Sequence, residues 1–307
     1  MAGQSRQDKT EKVAFRKIAR NISLVENEAG GYEQILEHIK PSAVPVIGIT
    51  GPPGAGKSTL TDALIAVMIS KGERVGVLCI DPSSPFHRGA LLGDRIRMSR
   101  WYNHPDVYIR SLASKGSLGG LHPKIIEITD LMKDSGFDRV LIETVGVGQS
   151  EVDIARLADL TLVVLVPEGG DTIQAMKAGL MEVADIFIVN KFDRPDAASF
   201  YRNLQQILGS STDPEIKKIP VLKMTATQNE GVEELYERIL QWPLGKGSGR
   251  SLDLMTEKAW ALIQEKKMKG LDRGLLKTQL EESLKAKDFN LYRFVNQYTA
   301  GSSGDED

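Results

Sequence analysis

The run Gly51-Pro52-Pro53-Gly54-Ala55-Gly56-Lys57-Ser58 has the residue types and spacing needed to wrap a chain of phosphates. Gly51, Gly54 and Gly56 let the backbone turn tightly and aim its N–H groups inward at phosphate oxygens. A helix beginning near Lys57 adds the positive end of its dipole. Lys57 supplies a point charge for β- and γ-phosphates, Ser58 a hydroxyl ligand for Mg²⁺, and Thr59 a contact for the α-phosphate.

A second constellation lies well downstream. Asn190-Lys191-Phe192-Asp193 closes an apolar run of strand length. A carboxylate such as Asp193 accepts two hydrogen bonds, which matches the adjacent N1–H and N2–H₂ donors of guanine. Adenine lacks that donor pair, and a site built to pair polar groups rejects an analogue that lacks them by large factors. The aliphatic stem of Lys191 suits the face of the base, and Asn190 suits a bridge to the phosphate loop. Thr225-Ala226-Thr227, at the end of the next apolar run, suits a loop whose backbone N–H reads the guanine oxygen.

Acidic residues at strand ends complete the set. Glu143-Thr144-Val145-Gly146-Val147-Gly148-Gln149-Ser150 gives E-x-x-G where many nucleotide hydrolases place D-x-x-G. There the acid reaches the Mg²⁺ surroundings through a water, the glycine N–H senses the γ-phosphate, and Gln149 can orient the attacking water. Asp81 ends another apolar run, and Asp94 follows in Gly93-Asp94-Arg95-Ile96-Arg97-Met98. Because Mg²⁺ takes few protein ligands and keeps several waters, one or two of Asp81, Asp94 and Glu143 are expected to bind it directly beside Ser58, the others through water. Lys57, Glu143, Gln149 and Asp81 are the expected catalytic residues. Arg88, Arg95 and Arg97 lie close by, where an arginine could stabilise transition-state charge, although solvated surface arginines are the ordinary reading. His87, His104 and His122 form no metal pattern with each other or with the single cysteine, Cys79.

The elements that must position these residues are legible as alternating patterns. Val44–Thr50, Arg74–Asp81, Arg139–Thr144, Leu160–Pro167, Ile186–Asn190 and Ile219–Met224 read as strands buried on both faces. Ser58–Lys71, Leu121–Ser135, Asp171–Val183 and Asp196–Leu208 read as helices between them. The alternation predicts an α/β fold of the P-loop type: a mostly parallel sheet flanked by helices, with ligands outside the strand C-termini. Helical extensions are expected at both ends, over 1–43 and 245–307, around a nucleotide-binding domain at 44–244. Pro82 to Gly120, dense in Gly, Ser, Pro and Arg, breaks the alternation and reads as a long connection of the functional or the disordered kind. The acidic last residues, Gly301 to Asp307, read as a disordered tail.

Bulk composition narrows the partners. The 307 residues carry 39 Lys plus Arg against 41 Asp plus Glu, and 6% are aromatic. That balance gives no global field for nucleic acid or an acidic membrane and few rings for base stacking. One cysteine excludes a disulfide framework within the chain. No apolar run reaches the roughly 18–20 residues of a membrane span. A polar N-terminus without an apolar signal core leads to the expectation of a cytoplasmic protein.

These motifs together resemble the MeaB/ArgK family. The resemblance rests on Gly51 to Thr59, Asp81-Pro82-Ser83-Ser84, Leu92-Gly93-Asp94 with Arg97-Met98, Ser117-Leu118-Gly119-Gly120, the run Glu143 to Glu151, and Asn190 to Asp193, in that order. The family comprises GTPase chaperones of cobalamin-dependent acyl-CoA mutases, related to the methylmalonic aciduria type A protein. The resemblance covers roughly residues 10–300. It implies GTP/GDP and Mg²⁺ at the site, and a homodimer held by the helical extensions. It also implies that GTP hydrolysis times adenosylcobalamin delivery to a mutase and discharge of inactivated cofactor. The chain lacks a mitochondrial-type leader, so a bacterial cytosolic version is expected. A nickel-insertion GTPase would want a His- or Cys-rich stretch, and four His with one Cys do not supply it. A small-molecule or protein kinase on the same fold would leave Asp193 without a guanine to read.

Overall fold

A computed structural model describes residues 15–81, 98–114, 121–144, 150–167 and 179–243, and, nearer the C-terminus, 256, 259–260, 262–264, 267–268, 271–286 and 289–299. Seven strands form one sheet: β1 (Val46–Thr50), β2 (Val75–Asp81), β3 (Val107–Ala113), β4 (Arg139–Glu143), β5 (Leu160–Leu165), β6 (Ile186–Val189) and β7 (Val221–Lys223). Their order across the sheet is β3-β2-β4-β1-β5-β6-β7, and every neighbouring pair is parallel. All residues of β1, β2, β5 and β6 are buried, as continuous Val/Ile/Leu runs require when helices cover both faces.

Side chains alternate between two cores. On one face, Ile47, Ile49, Val77, Leu162 and Ile188 meet α3 (Lys57–Ser70) through Leu60, Leu64 and Met68. Leu235 and Ile239, from a later helix over Val232–Gln241, join the same core. On the other face, Leu78, Ile80, Val140 and Ile142 pack with Ile18, Ile22 and Val25 of α1, the helix over 15–26. Ile128 and Met132 of α4 (Ile125–Lys133) complete that core. The short helix α2 (Tyr32–Glu37) lies between α1 and β1 in the chain. A third cluster joins β5 and β6 to Phe200, Leu204 and Leu208 of a helix over Ala197–Ser210.

The sheet confirms the α/β expectation and corrects one element. Residue pattern alone makes Pro82 to Gly120 a connection without a strand, yet Val107–Ala113 pairs along the whole of β2, from Val75↔Val107 to Asp81↔Ala113. As the sheet's edge it is buried only at its ends, and Arg110 and Ser111 interrupt the apolar run in its middle. Three more helices follow in order: α5 (Ser150–Leu157), α6 (Leu180–Val183) and, as α7, Ala197–Ser210. Then come α8 (Pro214–Lys217) and, as α9, Val232–Gln241.

The chain divides into two compact units, Met1–Ser248 and Gly249–Asp307. The second holds α10 (Arg273–Ser283) and α11 (Leu291–Thr299). Asp272 caps α10, its carboxylate accepting from the Leu275 N–H at 2.7 Å. Tyr298 donates to the Gln279 side chain, and Phe294 lies against both Phe289 and Tyr298.

Candidate functional site

Parallel register brings the predicted site residues to one edge. Glu143, the last residue of β4, stands opposite Ile49 on β1 and Cys79 on β2. Asp81 therefore ends β2 two residues further toward the same edge, and Thr50 leads from β1 straight into the glycine-rich loop. On the other side Val189 of β6 stands opposite Leu165 of β5 and Lys223 of β7, so Asn190 and Met224 emerge together.

The loop from Gly51 to Ser58 follows from its glycines. Gly51 has φ 135°, and a Cβ there would run into the Val164 carbonyl of β5. Gly56 has φ 86°, and a Cβ would collide with the Asn190 side-chain amide. Only glycine combines those dihedrals with that close approach. Pro53 and Gly54 are exposed, Pro52 and Thr59 half-buried, and Ala55 fully buried. The Lys57 ammonium donates to the Gly51 carbonyl at 2.8 Å and the Pro52 carbonyl at 3.0 Å, which holds the cation within the loop's own turn.

Ser58 lies in the first turn of α3 beside the end of β4, and its hydroxyl donates to Glu143 Oε1 at 2.5 Å. One helical turn on, the Thr61 hydroxyl shares its one proton between Glu143 Oε2 at 3.0 Å and the Lys57 carbonyl at 2.9 Å. Both carboxylate oxygens are thus fixed by α3. Sequence reasoning missed Thr61; the signal was its spacing of three from Ser58, which puts both on one helix face. Thr144 and Thr50 share a hydrogen bond of 2.9 Å beside it. Ser58, Asp81 and Glu143 are all buried.

This donor chemistry is all oxygen. A serine that gives its proton to a carboxylate turns its lone pairs outward, and carboxylates with a hydroxyl suit a hard cation such as Mg²⁺ rather than a soft one. Among the described residues no group of three or more His, Cys, Asp or Glu side chains could hold a metal by itself, so an ion here would depend on added oxygens such as waters and phosphate. Asp94, Gln149 and the arginines at 88, 95 and 97 lie outside the described residues.

The second loop is tied to the first. The Asn190 amide donates to the Ala55 carbonyl at 2.8 Å, while its Oδ1 accepts from the Ala226 N–H at 3.2 Å. One side chain therefore spans the phosphate loop, the 190–193 loop and the 225–227 loop. The Ala226 N–H, expected from sequence in a loop facing a base oxygen, is thus already taken by Asn190 Oδ1. Lys191 has φ 53°, a left-handed conformation that costs a non-glycine residue on the order of 1 kcal/mol or more. Flanking bonds hold it: Asn190 N–H to Leu165 O at 2.8 Å and Phe192 N–H to Met224 O at 2.9 Å. Asp193 is exposed, open to a ligand.

Comparison with known proteins fits this geometry. Residues 18–271 match the family model described as methylmalonyl Co-A mutase-associated GTPase MeaB. A Pyrococcus abyssi protein named as a GTPase is 44% identical over 289 residues, covering 92% of this chain and 88% of its own. The mouse protein named methylmalonic aciduria type A homolog, mitochondrial, is 35% identical over 231 residues, covering 71% of this chain and 55% of its own. A crystal structure titled LAO/AO transport system kinase shares the fold, with TM-score 0.62, 22% identity and coverage of 98% and 97% of the two chains. Glycine-rich loop, strand-end acid and the 190–193 loop tied to them thus stand on a chain that belongs to the MeaB family of P-loop GTPases.

Proposed function

We propose that the protein binds GTP with Mg²⁺ across these three loops, hydrolyses it, and uses the change to gate adenosylcobalamin loading and reactivation of a cobalamin-dependent acyl-CoA mutase. The observation that carries the nucleotide part is the Asn190 side chain, which joins Ala55 to Ala226 and so makes one site of loops that are far apart in sequence. The mutase part is supported by membership of a mutase-associated family and by the kinship with the methylmalonic aciduria type A homolog.

In this reading the inward N–H groups of Gly51 to Ser58 and the Lys57 ammonium neutralise the phosphates, and Thr59 meets the α-phosphate. Ser58, with Glu143 and Asp81 behind it and Asp94 contributed by the segment after β2, would hold Mg²⁺. Held there, Mg²⁺ would supply positive charge to offset the negative charge on the phosphate oxygens. Thr61 keeps Glu143 turned toward Ser58. Gln149 orients the water. Asp193 takes the two guanine donors, Lys191 covers the base, and the Ala226–Thr227 amides meet its oxygen. Binding energy spent on the base orders the loops, and loss of the γ-phosphate releases them, which is how such proteins report to a partner.

A homodimer belongs to the same reading. Trp260, Ile263, Met268, Leu275, Leu291, Tyr292 and Val295, in the second unit, are exposed apolar side chains, which supports burial against a second copy. No helix among the described residues is long and apolar enough to cross a membrane. A cytoplasmic location, shared with the mutase, completes the proposal.

The test is cofactor loading. Apo-mutase from the same organism is mixed with adenosylcobalamin and this protein carrying GTP, GDP or no nucleotide, and holoenzyme formation is followed. Nucleotide-dependent loading is expected. Loading identical in all three conditions would remove the gating role.

A further inference from the structure

The 190–193 loop is held by more than its backbone. The Phe192 ring stands edge-on to Tyr201 of α7, with centroids 6.0 Å apart and planes at 88°. The Lys223 ammonium lies 5.2 Å from the Phe192 centroid and 4.9 Å from the Tyr201 centroid, so one cation faces both rings. Tyr201 is fastened in turn. Its hydroxyl reaches the Val221 carbonyl at 3.4 Å and accepts from the Gln205 amide at 3.0 Å. The Lys223 backbone is fixed by its pairing opposite Val189.

We propose that Phe192, Tyr201 and Lys223 form a clasp that sets how well this protein distinguishes guanine from related bases, acting as positioning residues for Asp193 and not as base contacts. The inference rests on the reading of Asn190 to Asp193 as the base-recognition loop. Its physical ground is the position of Lys191 in the left-handed region, with Asp193 exposed two residues later. A strained turn that ends in an exposed carboxylate keeps its aim only where its neighbours over-determine it. The Asn190 side chain and the Phe192 N–H hold the loop's first half to the phosphate loop and to Met224. The Phe192 side chain is what ties the residue next to Asp193 to both α7 and β7.

Two hydrogen bonds to adjacent base donors require the carboxylate to be placed within a few tenths of an ångström, because such bonds weaken steeply with angle and distance. Phosphate binding at Gly51 to Ser58 has no such dependence on the clasp. Loosening it therefore costs discrimination between bases, raising KM and leaving the chemical step alone. Phe192 and Tyr201 are only half-buried and Lys223 is exposed, so little core packing is at stake.

The experiment compares GTP with inosine triphosphate, which lacks the 2-amino group, in binding and turnover by the full-length protein. Phe192→Ala and Lys223→Met are the test variants, Phe192→Tyr restores a ring, and Asp193→Ala is the reference for a lost base contact. Phe192→Ala is expected to reduce the GTP-to-ITP preference and to raise KM for GTP on the order of tenfold, with kcat within about twofold. Lys223→Met is expected to move the same way by less, and Phe192→Tyr to keep the ratio. A folded Phe192→Ala protein with reduced Tm but an unchanged ratio would overturn the clasp. Should Phe192→Ala fail to fold, Lys223→Met decides, an unchanged ratio overturning the proposal and a reduced one supporting it. Wild-type protein that treats GTP and ITP alike, with Asp193→Ala indistinguishable from it, would overturn the base-reading assignment itself and the clasp with it.

Discussion

Asp193 and Glu143 show how two carboxylates at one sheet edge can differ in use. Glu143 is buried with both oxygens committed to Ser58 and Thr61, whereas Asp193 is exposed at the end of a strained turn. Asp193→Asn replaces one acceptor with a donor, so guanine affinity should fall by at least about tenfold, from the loss of a charge-assisted hydrogen bond of ~1.5–3 kcal/mol. Xanthine nucleotides, which present an acceptor where guanine has its amine, should gain. Titration with GTP and XTP checks this, and unchanged guanine binding would remove Asp193 from the base site. The placement of Lys57 in the glycine-rich loop and of Asn190 against that loop was legible because both motifs follow strand-length apolar runs. Thr61 was not, because a threonine inside a buried helix looks like packing until Glu143 is placed beside it. The Asn190–Ala226 contact was hidden for a related reason, since 36 residues separate the partners.

At the scale of elements, α9 is docked by a polar triad as well as by Leu235 and Ile239. The Tyr236 hydroxyl donates to Glu73 Oε1 at 2.8 Å, and Arg139, at the start of β4, pairs with the same carboxylate at 2.8 Å. Burial first, then the hydrogen bond to Glu73 and its charge, push the Tyr236 phenol up to about 12 from its ordinary 10. A folded-state value above the unfolded one stabilises the protonated form. That stability is whole below pH 10 and is lost as pH rises through 12. Denaturant unfolding of the wild type should therefore weaken over this window, beyond any general alkaline effect, and Tyr236→Phe should lack that added slope. At neutral pH the variant should be less stable by about 1–2 kcal/mol, because Glu73 keeps Arg139 when the phenol is removed. An identical alkaline slope in both proteins would contradict this role of the triad.

The same elements show what periodicity can and cannot carry. Strands buried on both faces were found within about two residues at most ends, because a short, unbroken Val/Ile/Leu run between turn residues fits a sheet covered on both sides and little else. Val107–Ala113 was missed because an edge strand tolerates Arg110, whose guanidinium pairs with Glu26 of α1 at 2.7 Å while the side chain stays partly exposed. Without the fold in hand, an arginine in mid-run reads as the end of a strand. Of the helix expected over Asp171–Val183, residues 179–183 lie within the described residues, and Leu180–Val183 are helical.

For the molecule as a whole, the proposed nucleotide site belongs to the first unit. Exposed Leu275 and Tyr292 belong to the second unit, and their apolar area is a cost in water unless it is covered. Leu275→Glu with Tyr292→Glu should lower the mass measured by light scattering from dimer to monomer while intrinsic GTP turnover persists. A wild type that is already monomeric at micromolar concentration would rule out the homodimer. Whether this GTPase answers to a mutase is decided by GTP turnover of the purified protein, alone and with a cobalamin-dependent acyl-CoA mutase from the same organism, with Lys57→Ala as the inactive control. Turnover should be slow alone, strongly stimulated by the mutase, and absent from the control. Turnover unchanged by the mutase, with guanine binding intact, would contradict the proposed partnership.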